Sequence, residues 1–139
     1  MKTVLLATTF TIALFSCQKS KDDKPQPTQK DYVGKYKITK LLFQSTGNPD
    51  QDLLASLPDC AKDDLLVFAA DSSFKKEDAG VSCGDNEDEP TAWFVKENTM
   101  TIDGVQSNIV SFNNHTLVLT TPMTFIDIKG TVLETLEKQ

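Results

Sequence analysis

From Gly34 to the C-terminus the chain breaks into short apolar runs, each ended by a turn signal. No run after the first dozen or so residues is long enough for a helix of ordinary length, and several alternate with period two, the spacing of a half-buried strand. This pattern constrains the fold more than any single residue does. Residues 34–39 alternate, and the apolar parity changes between Ile38 and Leu41, which predicts a bulge or bend there. Residues 65–70 are apolar on both parities. They predict a strand buried on both faces, or one with a helix over one of them. Asp71, Ser72 and Ser73 turn the chain into a partner strand at 74–78, with Phe74 inward.

Further strands follow at 92–95 and at 99–103, where Met100 and Ile102 share a face. Residues 108–112 place Val110 and Phe112 on one face and Ile109 on the other. Asn113 and Asn114 signal a hairpin, and 116–121 carry Leu117 and Leu119 inward. Beyond Pro122 come 124–128, then Gly130, then 131–136, read as one strand bent at the glycine or as two short ones. One helix signal interrupts the series. Asn48 can cap, Pro49 suits the first helical position, and Gln51 lies three residues after the cap. Leu53, Leu54 and Leu57 share a face and Pro58 ends it. The total is about eight short strands and one short helix near the start, which favours an all-β antiparallel meander closed into a small up-and-down barrel, or a sandwich.

The N-terminus predicts export. Lys2 is followed by a mostly apolar stretch of about a dozen residues, too short to span a bilayer but suited to a secretory signal. Leu14, Phe15, Ser16 and Cys17 resemble a bacterial lipobox, which implies cleavage after residue 16 and lipid on Cys17. An ordinary signal peptide with an incidental cysteine is the alternative. Residues 17–31 lack large apolar side chains and read as a tether, with the folded domain at 32–139. The lysines and aspartates after Cys17 resemble the surface-export signal of Bacteroidetes lipoproteins; a plain linker reads the same way.

The chain has three cysteines. With Cys17 given to lipid, Cys60 and Cys83 remain, in a compartment where they can pair. A disulfide is expected, with free thiols as the alternative. Two cysteines without a nearby histidine do not make a zinc site. The acidic run at 85–89 fails the EF-hand pattern, because Pro90 stands at the sixth position and Lys96 at the twelfth. No metal or other cofactor is expected.

The formal charge is -6, and the chain contains no arginine. Such a chain lacks the basic face that nucleic acid requires. The single histidine, His115, sits in a polar turn, and no nucleophile elbow or paired carboxylates accompany it. The expectation is therefore not an enzyme.

Several features together resemble one family. A Gly34-Lys35-Tyr36 strand opens the domain, and Cys60 precedes the apolar strand. Asp71, Ser72, Ser73 and Phe74 stand where relatives have an Asp-Gly-Thr-Phe hairpin. Asp78, Gly80, Cys83 and Trp93 before Met100-Thr101-Ile102 complete the set. They resemble the lipocalin-like domain of Bacteroidetes lipoproteins. The resemblance implies a small up-and-down β-barrel with a disulfide near one end. An eight-stranded barrel can hold one small ligand, so Phe68, Phe74, Trp93, Met100 and Phe112 are candidate cavity-lining residues. The expected function is binding of a small apolar or amphipathic ligand by a lipoprotein anchored in the outer membrane, on its periplasmic or its surface face. The alternative is a filled barrel that acts as a structural or protein- or glycan-interaction module.

Overall fold

The computed structural model describes residues 26–84 and 89–139. The expected signal peptide, Cys17 and most of the tether lie outside these residues, as do the acids at 85–88. The strands are β1 (Gly34–Gln44), β2 (Gln51–Asp52), β3 (Leu65–Phe68), β4 (Ser73–Glu77), β5 (Thr91–Lys96), β6 (Thr99–Ile102), β7 (Val105–Phe112), β8 (Thr116–Phe125) and β9 (Ile128–Lys138). Two one-turn helices, α1 (Leu53–Ser56) and α2 (Asp59–Lys62), lie between β2 and β3. All neighbouring strands pair antiparallel, and β1 pairs with β9 as well as β3. That last ladder closes an eight-stranded up-and-down barrel, leaving the two-residue β2 outside it on the far half of β1. Closure removes the exposed edges that a flat meander would present.

The predicted bulge is present: the β1–β9 register shifts between Ile38 and Lys40. Tyr36 lies inward before it and Phe43 inward after it, at 0% and 2% exposure. A second register shift, between Ile109 and Ser111, was not legible in the sequence. It resets the parity of β7. Ile109 and Phe112 therefore both pack on the core, and Val110, expected beside Phe112, faces out at 59% exposure.

The helix also differs from expectation. Residues Gln51 and Asp52 pair with Phe43 and Leu42 as β2, so the helix cannot begin at Asn48. Asp52 is the cap instead, its Oδ1 accepting the Ala55 N–H at 3.0 Å. Leu57 and Pro58 are extended, and α2 starts after them with Cys60 in it.

β8 does not stop at Pro122. Its pairing with β7 ends at Thr120, but its pairing with β9 continues to Phe125 opposite Ile128. Over that section the ladder runs on one side only, where a residue without an N–H is tolerated. The reversal comes at Ile126 and Asp127, both with positive φ (46° and 64°). Gly130 is not the turn but a close approach: a Cβ there would lie 2.6 Å from the Phe43 ring and would also meet the Gln44 carbonyl. A β-branched residue at positive φ is strained. Ile126→Asn should therefore raise stability by about 1 kcal/mol, read as a higher urea midpoint at unchanged slope.

The fold begins slightly before Tyr32. Residues Gln29–Tyr32 form a 3-10 turn. The Asp31 carboxylate accepts the Thr28 N–H at 2.6 Å and its hydroxyl at 2.8 Å. These bonds hold the Asp31 carboxyl below its ordinary value. The Gln29 amide donates to Ser72 Oγ at 2.8 Å and accepts the Val95 N–H at 3.4 Å. Tyr32 is 3% exposed and lies against Phe112, centroids 4.3 Å apart. The turn thus plugs the end of the barrel where β1 starts and β9 finishes.

Candidate functional site

The two ends of the barrel differ. At the plugged end, Tyr36, Phe68, Trp93, Met100, Leu117 and Leu136 are all at most 1% exposed and form one cluster with Tyr32. Phe68 is its hub. The Trp93 ring meets it edge-on at 5.0 Å, Tyr36 at 5.5 Å and Phe74 tilted at 5.2 Å. The Trp93 indole N–H donates to the Ala69 carbonyl at 3.1 Å. The Tyr36 hydroxyl is buried without a partner, and burial pushes its pKa up to about 12. Of the five residues proposed from sequence as cavity lining, Phe68, Trp93 and Met100 are brought together here, but as a packed floor. Phe112 sits against the plug. Phe74 alone borders open space, a cleft of about 310 Å³ with Lys75, Lys76, Glu89, Thr91 and Asp103. The cleft exists because β4 and β5 share only two residue pairs.

The other end is built differently. Cross-strand partners point to the same face, so inward direction follows from register. Val105 pairs with Ile102, one of the residues packed on the core. Met123, Phe125, Ile128 and Gly130 continue the inward rows of Leu117 and Leu136 along β8 and β9. Yet Val105 is 57% exposed, Met123 44%, Phe125 41% and Ile128 41%. Met123, Phe125 and Ile128 lie on the two-stranded ribbon beyond the last β7–β8 and β1–β9 pairs, where the inward rows run out past the closed barrel and stay partly uncovered. Phe125 rests against buried Phe43 with centroids 5.8 Å apart. A shallow groove of about 640 Å³ runs beside this rim, lined by Gln44, Ser45, Thr46, Lys129, Gly130 and Thr131.

Polar groups lie between floor and rim. Ser107 (7% exposed) and Thr121 share a 2.6 Å hydroxyl–hydroxyl bond. Glu134 pairs with Leu119 on β8 and Leu41 on β1, between Val132 and Leu136 on its own strand. It therefore points inward among apolar neighbours. Its side chain keeps partial exposure, yet desolvation pushes its carboxyl up to about 7 from an ordinary 4.5. Both observations fit a carboxyl that apolar neighbours crowd without sealing it from water. The folded protein then retains a proton that the unfolded chain has lost between about pH 4.5 and 7, so stability falls as pH rises through that window and the loss is complete above it. At about 1.4 kcal/mol per pKa unit the loss is somewhat more than 3 kcal/mol. Glu134→Gln should exceed the parent by about 2–3 kcal/mol near pH 8 and match it near pH 4 in denaturant titrations.

The lipocalin-like domain family matches residues 32–119, more than half of the chain. The chain belongs to the lipocalin-like domain family. No curated protein and no solved structure gives a significant match. The lipocalin-like barrel also carries the expected disulfide, Cys60 to Cys83 with Cα atoms 5.2 Å apart. It joins α2, ahead of β3, to the loop after β4, away from the plug. Nearby, Asp63, Asp64 and Asp78 bring carboxylate oxygens within 4.8 Å of one another. Asp63 Oδ2 accepts the Val81 N–H at 2.9 Å, while its Oδ1 is buried without a partner. Among the described residues this is the group whose spacing would suit a hard cation. His115, as expected, is an exposed turn residue beside positive-φ Asn114.

The rim residues and Glu134 escaped the sequence reading. The available signal was the alternation Val132, Glu134, Leu136, in which a charged residue occupies a core register of the lipocalin-like barrel.

Proposed function

We propose that this lipocalin-like barrel is a non-enzymatic binding module that takes a small apolar or amphipathic ligand through the end opposite the 3-10 plug. One observation carries the reading: inward-facing Val105, Met123, Phe125 and Ile128 stay exposed at that end, while the plugged end is packed solid. Apolar surface turned inward and left uncovered is what a ligand site offers before its ligand arrives. Membership in the lipocalin-like family supports ligand binding in general. Native mass spectrometry of the gently extracted protein tests it. A saturable adduct of a few hundred daltons supports the reading; a bare protein that also fails to bind added long-chain alcohols overturns it.

A lipid on Cys17 would hold the module at the outer membrane in the manner of Bacteroidetes lipoproteins, with the tether that ends at residue 31 as spacer. More than one acyl chain is needed for a stable hold. Cys17→Ala should move the protein from the membrane fraction to the soluble one, and unchanged partitioning would refute lipidation there. Protease shaving of intact cells distinguishes the outer face from the periplasmic one.

A second reading has one observation in its favour. Ile126 is 80% exposed at the tip of the ribbon that carries Phe125 and Ile128. As a projecting apolar tip this ribbon would suit contact with a partner protein or envelope glycan, as in a filled interaction module. In that case ligand titration would leave the interior unperturbed.

A further inference from the structure

We infer that Glu134 is the recognition group of the interior and selects an apolar ligand bearing one cationic head, such as a long-chain amine. The inference rests on the binding reading above and adds the ligand's chemical class. The β8–β9 and β1–β9 registers place the Glu134 carboxylate inside the barrel, flanked by Val132 and Leu136 and facing Leu41 and Leu119. Buried or partly buried acids in folded proteins are normally paired. Glu134 has no hydrogen bond or ion pair among the described residues, and neighbouring Ser107 and Thr121 bond each other rather than it. A lone carboxylate between an apolar floor and an apolar rim disfavours its own charged form and lowers stability at neutral pH. A cation brought by the ligand removes that cost, because a charge-assisted bond in a water-poor site is strong for both partners. The same carboxylate repels an anionic head, so fatty-acid-like ligands are selected against.

The residues on either side fix how such a ligand would lie. Its tail would cover the inward faces of Val105, Met123, Phe125 and Ile128, which are otherwise exposed. Its head would reach past Thr121 to Glu134, two pairs deeper along β8 and β9, from Thr121↔Val132 to Leu119↔Glu134. Head-in, tail-out entry is the orientation that leaves no charge unpaired.

The test uses three probes of one chain length, dodecylamine, dodecanol and dodecanoate, each below its aggregation limit, competing against an environment-sensitive fluorophore at about pH 8.5. There both carboxylate and amine are charged. The inference expects the amine to bind about tenfold or more tighter than dodecanoate, the gain of a charge-assisted hydrogen bond. Glu134→Gln should abolish that preference and leave dodecanol binding intact. Glu137→Gln, on the opposite face of β9, should leave the preference unchanged and controls for net charge. Dodecanoate binding as tightly as the amine, or a preference that survives Glu134→Gln, overturns the inference. If dodecanol still binds in that case, the ligand-binding reading stands without it. If none of the three probes binds, both fail together.

Discussion

Trp93→Ala is expected to cost about 4 kcal/mol, the upper range for truncating a large aromatic in a packed core. The indole is fully buried and spans the floor between Phe68 and the Ala69 carbonyl. Removing it deletes the edge-on contact with Phe68, leaves the Ala69 carbonyl without its side-chain donor, and opens a void that the β3–β4 turn is too constrained to fill. Against a typical stability of about 5–15 kcal/mol for a small domain, the loss leaves a marginal fold. Phe94, the next residue on β5, points outward and is 48% exposed. Phe94→Ala should cost less than about 1 kcal/mol. Urea titrations of the pair decide the matter: similar losses for both would mean that the inward direction of β5 is wrong.

The second large effect belongs to the disulfide. Replacing Cys60 and Cys83 together by serine should cost about 3–4 kcal/mol, the chain-entropy value for a loop of this length. The bond bridges a sequence separation of 23 residues that contains all of β3 and β4. Its loss also frees the loop that Asp63 holds through the Val81 N–H. The effect should therefore be local as well as global. Amide exchange should quicken across residues 78–84 and stay slow in Tyr36 and Leu117 at the plugged end. Uniform acceleration would show that the bond acts only on the unfolded chain.

The parts of this fold that local chemistry decides were readable from the sequence. Parity alone located the bulge after Ile38, because Ile38 and Leu41 cannot otherwise share a face. Cysteine bookkeeping paired Cys60 with Cys83. The bulge at Val110 left no such trace, since Ile109 and Val110 are both β-branched and either could be the inward one. Pro122 suggested a strand end, but only the absence of a β7 partner beyond Thr120 decides whether a proline there breaks anything. The reversal at Ile126 opposes turn chemistry, so no residue pattern announced it. Asn48 and Pro49 read as a helix start, but Gln51 and Asp52 pair with β1 as β2 and the cap falls at Asp52.

The candidate site followed the same division. Large apolar residues are the natural first choice for lining a cavity, yet Phe68, Trp93 and Met100 pack into the floor and exclude one another's solvent. The interior that stays accessible is made by smaller or later residues, Val105, Met123, Ile128 and Glu134, whose direction depends on register across three strands. Register is a tertiary property, and a single sequence does not carry it.

Methyl NMR with dodecanol as titrant shows where an apolar ligand settles. A ligand held inside the barrel should give saturable shifts at Val105, Leu119, Met123, Ile128 and Val132, on the inward face above the floor, with Val110 on the outer face and Val81 in the loop unmoved. Shifts confined to Val81, Val110 and the ribbon tip at Ile126, or no saturable shift at all, would contradict a ligand site inside the barrel.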